Sequence, residues 1–130
     1  MQNCSTQRNL DDIGIQQSKR IGLIFKQNEI KIDKIYSSEW CRCKDTAKYA
    51  FNDFKTFDVL NSFYDIRFAA NEDKQIKDFY EFIDNIDSKN NIVFVTHYVV
   101  IGAILNIGTS SGEIVVTDKN LNIIGSIDTL

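Results

Sequence analysis

The chain holds a single histidine. His97 stands in VFVTHYVV, two residues past the apolar run 92–95. At neutral pH an imidazole there has one lone pair to offer and one N–H to give. A second group that could do chemistry is Arg42, in SSEWCRCKDTAKYAF. It falls in the first turn of an expected helix, where unpaired backbone N–H groups and the helix dipole attract anions. In open α/β sheets, ligands bind beyond the carboxyl ends of the strands, and both groups reach that edge. An arginine and an imidazole converging on a helix N-terminus describe a phosphate pocket. The competing reading is structural: His97 as a buried core histidine donating to a backbone carbonyl, and Arg42 as a solvated helix-surface charge.

Both readings depend on the elements that carry the two groups. Residues 11–27 read as a helix capped by Asp11 or Asp12, with Ile13, Ile21, Ile24 and Phe25 roughly on one stripe. Residues 34–36 form a short strand. Ser38 is a natural N-cap for the next helix, where Trp40, Cys43, Ala47, Ala50, Phe51 and Phe54 keep helical spacing. That stripe reads as core. A second short strand is expected at 57–60, irregular chain at 61–71, and an amphipathic helix at 72–86 with Ile76, Phe79, Tyr80, Ile83 and Ile86 on one face. The run 92–95 suits a strand covered on both faces. A small-residue helix over 98–106 and a terminal β-hairpin around Lys119 and Asn120 complete the chain. Strands alternating with helices predict an α/β sandwich with a mostly parallel sheet.

At 130 residues the chain has room for one domain, spanning 1–130. Its 43% apolar and 25% charged content is ordinary for a soluble globular protein. A net charge of −3 gives no reason to expect nucleic acid or an anionic membrane as partner. No stretch approaches the roughly 20 apolar residues that span a bilayer, and MQNCSTQRNLDD has no signal-peptide core. Three cysteines leave an odd thiol under any pairing, which favours a reducing compartment and a cytoplasmic location; an upstream signal sequence stays compatible with a truncated start. Cys41 and Cys43 on one helix point about 200° apart, so they cannot both face one zinc ion. A cysteine-dependent phosphatase fails as well, because no cysteine precedes an arginine at the spacing of its phosphate loop.

The blocks CSTQRNLDDIGIQQSKRIG, IYSSEWCRCKDTAKYAF, NIVFVTHYVVIGAI and SGEIVV, in that order, resemble the histidine phosphatase (phosphoglycerate mutase-like) superfamily. The resemblance implies a three-layer α/β/α sandwich and hydrolysis of phosphomonoesters through a phosphohistidine, with no metal or organic cofactor. It makes Arg42 the clamp on the phosphoryl oxygens and His97 the second pocket histidine, which bonds the phosphoryl group without attacking it. Arg8 would lie near the pocket mouth and Ser38 beside the clamp. Asp65 is the nearest candidate proton donor. The implied ligand is a phosphorylated small molecule or phosphate itself.

The strand ending in Arg-His-Gly that opens such domains, with its nucleophilic histidine, has no counterpart here. One imidazole cannot attack phosphorus in line and also stabilise the equatorial oxygens from the side. The chain as given is therefore expected to be inactive: either an N-terminally incomplete phosphatase with a mistaken or truncated start, or a decayed gene whose product is catalytically dead. The alternative is a pseudo-phosphatase that binds a phosphorylated ligand or a protein partner without turnover. By the same resemblance the sheet lacks its first, central strand, next to 92–95 and the terminal hairpin. An unpaired edge there predicts marginal stability, self-association or repacking around the gap.

Overall fold

The carboxylate of Asp11 accepts from the N–H of Gly14 at 2.8 Å and starts the first helix, α1, Asp12–Gln27. In this computed structural model, which describes residues 3–64 and 68–129, α1 leads into strand β1, Ile32–Ser37. Helix α2, Cys41–Phe51, and strand β2, Lys55–Thr56, follow. After a 3-10 turn at Asp58–Leu60 come helix α3, Glu72–Asn85, strand β3, Asn91–Val95, and helix α4, Tyr98–Leu105. The hairpin strands β4, Ile114–Thr117, and β5, Ile123–Ile127, close the chain.

The protein is an α/β sandwich with helices on both sides of a parallel sheet of order β2-β1-β3. Tyr36 stands opposite Phe94, and Ser37 opposite Val95. The core gathers on the α3 side: Val59, Leu60, Phe79 and Ile83 are buried, with Tyr36, Phe82 and Phe94 packed against them. The Tyr36 and Phe94 rings stack at 5.8 Å, so the register of β1 on β3 is held by a cross-strand aromatic pair. On the opposite side α1 meets α2 closely enough that a Cβ on Gly22 would lie 2.1 Å from the carbonyl oxygen of Ala50.

Several expectations are corrected. Ile13 is 72% exposed, and the buried face of α1 is Gln17, Ser18 and Ile21. Gln17 turns inward because the C-terminal tail occupies it: its amide donates to Thr129 Oγ1 at 2.9 Å and to the carbonyl of Ser111 at 3.1 Å. The strand expected at 57–60 lies earlier, at Lys55–Thr56, and residues 58–60 wind into the 3-10 turn that buries Val59 and Leu60. Ser38 does not cap α2; Trp40 holds that position without a side-chain bond. Tyr80 is 41% exposed, with its hydroxyl donating to the carbonyl of Ile104 at 3.1 Å. Asn106 adopts a left-handed conformation (φ 57°) and ends α4 at Leu105.

β3 is half-buried rather than covered on both faces. The physical reason is its neighbourhood: among the described residues it pairs with β1 alone, while β4 and β5 pair with each other as a separate antiparallel ribbon. The hairpin does not close onto β3. Between them runs an open slot of about 940 Å³. The hairpin is held across it by α1, through Gln17 and Thr129, and by Leu121, which packs against the core.

Candidate functional site

The parallel pairing of β1 with β3 brings their carboxyl ends side by side, and the backbone carries the ladder one step further. The N–H of Ser38 donates to the carbonyl of Val95 at 2.9 Å. Ser38 is fully buried and His97 only 5% exposed, so the two side chains meet at the strand ends, with Ser38 Oγ 2.9 Å from His97 Nε2. α2 begins shortly after Ser38, and its first turn delivers Arg42, whose Nη2 lies 3.0 Å from His97 Nδ1.

These contacts assign the protons. A guanidinium only donates, so Nδ1 carries the lone pair and Nε2 carries the hydrogen. Nε2–H then donates to Ser38 Oγ, which also accepts from the Trp40 N–H at 3.1 Å and passes its own hydrogen to Asn61 Oδ1 at 3.1 Å. Asn61 Oδ1 accepts from the Glu39 N–H at 2.8 Å, and Gln75 ties the Asn61 carbonyl to α3 at 2.8 Å. Both nitrogens of the imidazole are engaged by protein groups. Burial, and then the neighbouring Arg42 charge, push His97 down to about 3, so it is neutral at physiological pH. Burial pushes the Cys43 thiol up to about 12 against the opposing pull of Arg42 and Ser38. With its sulfur 3.6 Å from His97 Nε2, Cys43 is a neutral wall of the site and no nucleophile.

Arg42 is half-buried, its guanidinium 5.8 Å from the Trp40 ring centre. Among the described residues it has no carboxylate partner. Beside it, the indole Nε1 of Trp40 is a buried donor with no acceptor among the described residues. The site thus combines a neutral ring with a cation that has no counter-charge among the described residues.

Of the residues expected from sequence, the structure brings Arg42, His97 and Ser38 together. Arg8 is exposed, and no hydrogen bond joins it to the cluster among the described residues. Its neighbour Gln7 reaches α2 instead, accepting from the Cys41 N–H at 2.8 Å. Asp65 lies outside the described residues. Sequence reasoning missed Asn61, in the stretch read as irregular, and missed the Cys4–Cys41 disulfide (Cα–Cα 5.7 Å), which leaves Cys43 as the free thiol. With two of the three cysteines paired, the odd count no longer argues for a reducing compartment. Among the described residues no helix is long and apolar enough to cross a membrane.

No family model and no curated protein matches the chain. Solved structures do. TTHB049 from Thermus thermophilus aligns over 94% of this chain and 86% of its own, at 16% identity and a TM-score of 0.69. Rv3214 from Mycobacterium tuberculosis aligns over 75% of this chain and 65% of its own, at 19% identity and a TM-score of 0.59. A phosphoserine phosphatase from Entamoeba histolytica, solved as a histidine-to-alanine mutant with phosphoserine, aligns over 79% of this chain and 68% of its own, with 20% identity and a TM-score of 0.57. The chain has a phosphatase-like α/β fold. At such identities the likeness is one of fold, and what the cluster does has to be argued from its own chemistry.

Proposed function

We propose that this chain is a phosphate-binding domain of the histidine phosphatase type, which takes up a phosphorylated small molecule or inorganic phosphate and does not hydrolyse it unaided. The observation that carries the reading is the Arg42–His97 contact of 3.0 Å at the carboxyl edge of a parallel sheet. A guanidinium offers a planar fork of donors that suits phosphate oxygens. One of its donors is on His97, and the rest face no carboxylate among the described residues. His97 is neutral at physiological pH, so the guanidinium is the charge that this cluster offers an anion. The Entamoeba histolytica phosphatase of the same fold was solved with phosphoserine, a phosphomonoester, as ligand. No metal or organic cofactor enters this reading.

Against turnover stands the single histidine. Phosphoryl transfer to an imidazole needs a lone pair free to attack in line; here Nδ1 is held by Arg42 and Nε2 carries a hydrogen toward Ser38. The hydrolytic reading therefore requires a second histidine, which these 130 residues do not supply. Titration calorimetry with inorganic phosphate and with phosphoserine tests the proposal. Replacing Arg42 by Ala should weaken binding about 10- to 100-fold, the worth of one or two charge-assisted hydrogen bonds, and no phosphate should be released from phosphoserine. Affinity indifferent to Arg42→Ala sinks the assignment of the site. Catalytic release of phosphate by this chain sinks the claim that it does not turn over.

A further inference from the structure

Helix α2 presents Arg42 from its first turn, yet Trp40 at its N-cap position makes no side-chain bond. The acceptor that a cap would supply comes from far away in the sequence. Gln7 Oε1 accepts from the N–H of Cys41, the first residue of the helix, at 2.8 Å. Gln7 is kept there by a short strap anchored at the same helix end. Cys4 is bonded to Cys41 through the disulfide and opens a 3-10 turn, Cys4–Thr6. The Cys4 carbonyl then accepts from the Gln7 N–H at 3.1 Å and from Asn9 Nδ2 at 2.7 Å, which folds the strap back on its anchor. One covalent bond therefore holds the cap of the helix that carries the site's cation. Its two ends are unequally placed: Cys41 is 1% exposed, whereas Cys4 lies at the surface.

We propose that the Cys4–Cys41 disulfide is a redox switch on anion uptake at Arg42. Closed, it caps α2 through Gln7 and keeps the guanidinium on His97; opened by a dithiol, it releases the strap and weakens binding. The inference rests on the phosphate reading of the site. A thiolate of the dithiol attacks Cys4 Sγ and forms a mixed disulfide, and Cys41 Sγ leaves as a thiolate. That charge appears at the N-terminus of α2, where the helix dipole favours it, and then takes up a proton. The second thiol of the dithiol displaces Cys4, so the chain gains two thiols and the reductant becomes a cyclic disulfide. Without Gln7 the Cys41 N–H turns to water and the first turn of α2 frays. Arg42 then has to be ordered at the moment of binding, and affinity falls by that cost. Ser38 and His97 do not hang on the strap, because the β1–β3 ladder places them. The switch therefore acts on the cation and leaves the ring.

The test uses the full-length 15N-labelled chain, oxidised and after treatment with dithiothreitol, an uncharged dithiol that does not compete for the site. Inorganic phosphate is titrated into both and followed by NMR. Affinity should fall about fivefold on reduction, the worth of one helix cap. The Cys41 amide should lose its protection from hydrogen exchange, while the Ser38 amide, bonded to the Val95 carbonyl, keeps its own. Gln7→Ala should show the lower affinity with its disulfide intact, a result that does not require the reduced chain to stay folded. Cys4→Ser should bind as the reduced chain does and ignore the dithiol. Equal affinity in the two redox states of the folded chain overturns the proposal. Full affinity in oxidised Gln7→Ala also does, because the strap then does not act through the helix cap. If the oxidised chain takes up no phosphate, the reading of the site itself fails; phosphate bound through Arg42 alike in both states sinks the switch alone.

Discussion

Lowering the pH tests the proton assignment at His97 directly. The ring falls from its ordinary 6.5 to about 3 through burial and then the Arg42 charge. Between those values the unfolded chain binds a proton that the folded chain refuses, so stability rises with pH across the window. The contribution is fully present above 6.5 and is lost as the pH falls toward 3. At pH 5 the unfolded imidazole is almost wholly protonated and the folded one is not, which costs the folded state about 2 kcal/mol relative to pH 8. The value at pH 5 barely depends on where below 4 the folded ring titrates. With one histidine in the chain, no other imidazole contributes. Asp33, held near 2 by hydrogen bonds from Ser88 and Asn90, and Asp118, lowered by bonds from Asn122, keep their contributions until the pH falls to the ordinary carboxylate value of 3.8 and lose them below it, outside the interval from 8 to 5. Urea midpoints at pH 8 and pH 5 should differ by roughly 1 M in the wild type. In His97→Gln, which is less stable at both pH values but has nothing to titrate, they should nearly coincide. An equal acid loss in the variant, or a ring whose NMR shifts titrate near 6.5 in the folded protein, refutes the assignment.

Two further perturbations follow from the packing. Gly22→Ala places a methyl 2.1 Å from the Ala50 carbonyl, so α1 and α2 must part, and a loss of about 1–3 kcal/mol is expected in thermal melts; an unchanged Tm contradicts the close approach. Reducing the Cys4–Cys41 disulfide opens a loop with a sequence separation of 37, and chain entropy puts the loss near 4 kcal/mol. Urea titration with and without a phosphine reductant reads it, and a Cys4→Ser chain should no longer respond.

What the sequence made legible was periodic or topological. α3 and the terminal hairpin follow from spacing alone, and the meeting of Arg42 with His97 follows from two strands ending at one sheet edge. The misses have local causes. Ser38 looks like an N-cap, but its hydroxyl is taken up by His97 and Asn61, and that partnership joins residues 59 and 23 positions apart. β2 is two residues long, too short for any alternation to register. Ile13 faces water because a buried glutamine, not an isoleucine, meets the C-terminal tail. Asn61 sits in a loop with no periodicity, and its role exists only once β1, α2 and α3 have converged. The disulfide was equally hidden, since spacing alone does not determine cysteine pairing.

The site and the slot share a wall but differ in what supports them. Ser38 and His97 are placed by the β1–β3 ladder and its extra rung from Ser38 to Val95, and Arg42 by α2, which packs on the same two strands. None of these supports comes from the hairpin, which hangs on Gln17, Thr129 and Leu121. Gly112, just ahead of the hairpin, lies against Gln17, and its carbonyl accepts from Thr129 Oγ1 at 2.7 Å. It holds a left-handed conformation, φ 78°, and a Cβ there would lie 2.1 Å from Gln17 Nε2. Gly112→Ala should therefore displace Gln17 and cost about 1–3 kcal/mol. Yet the Ser38–His97–Arg42 geometry should survive, so phosphate affinity measured in the folded variant should stay within about twofold of wild type, far from the penalty of removing a charged hydrogen bond. A tenfold loss of affinity in that variant would mean that the hairpin, and not the β1–β3 pair, holds the site in shape.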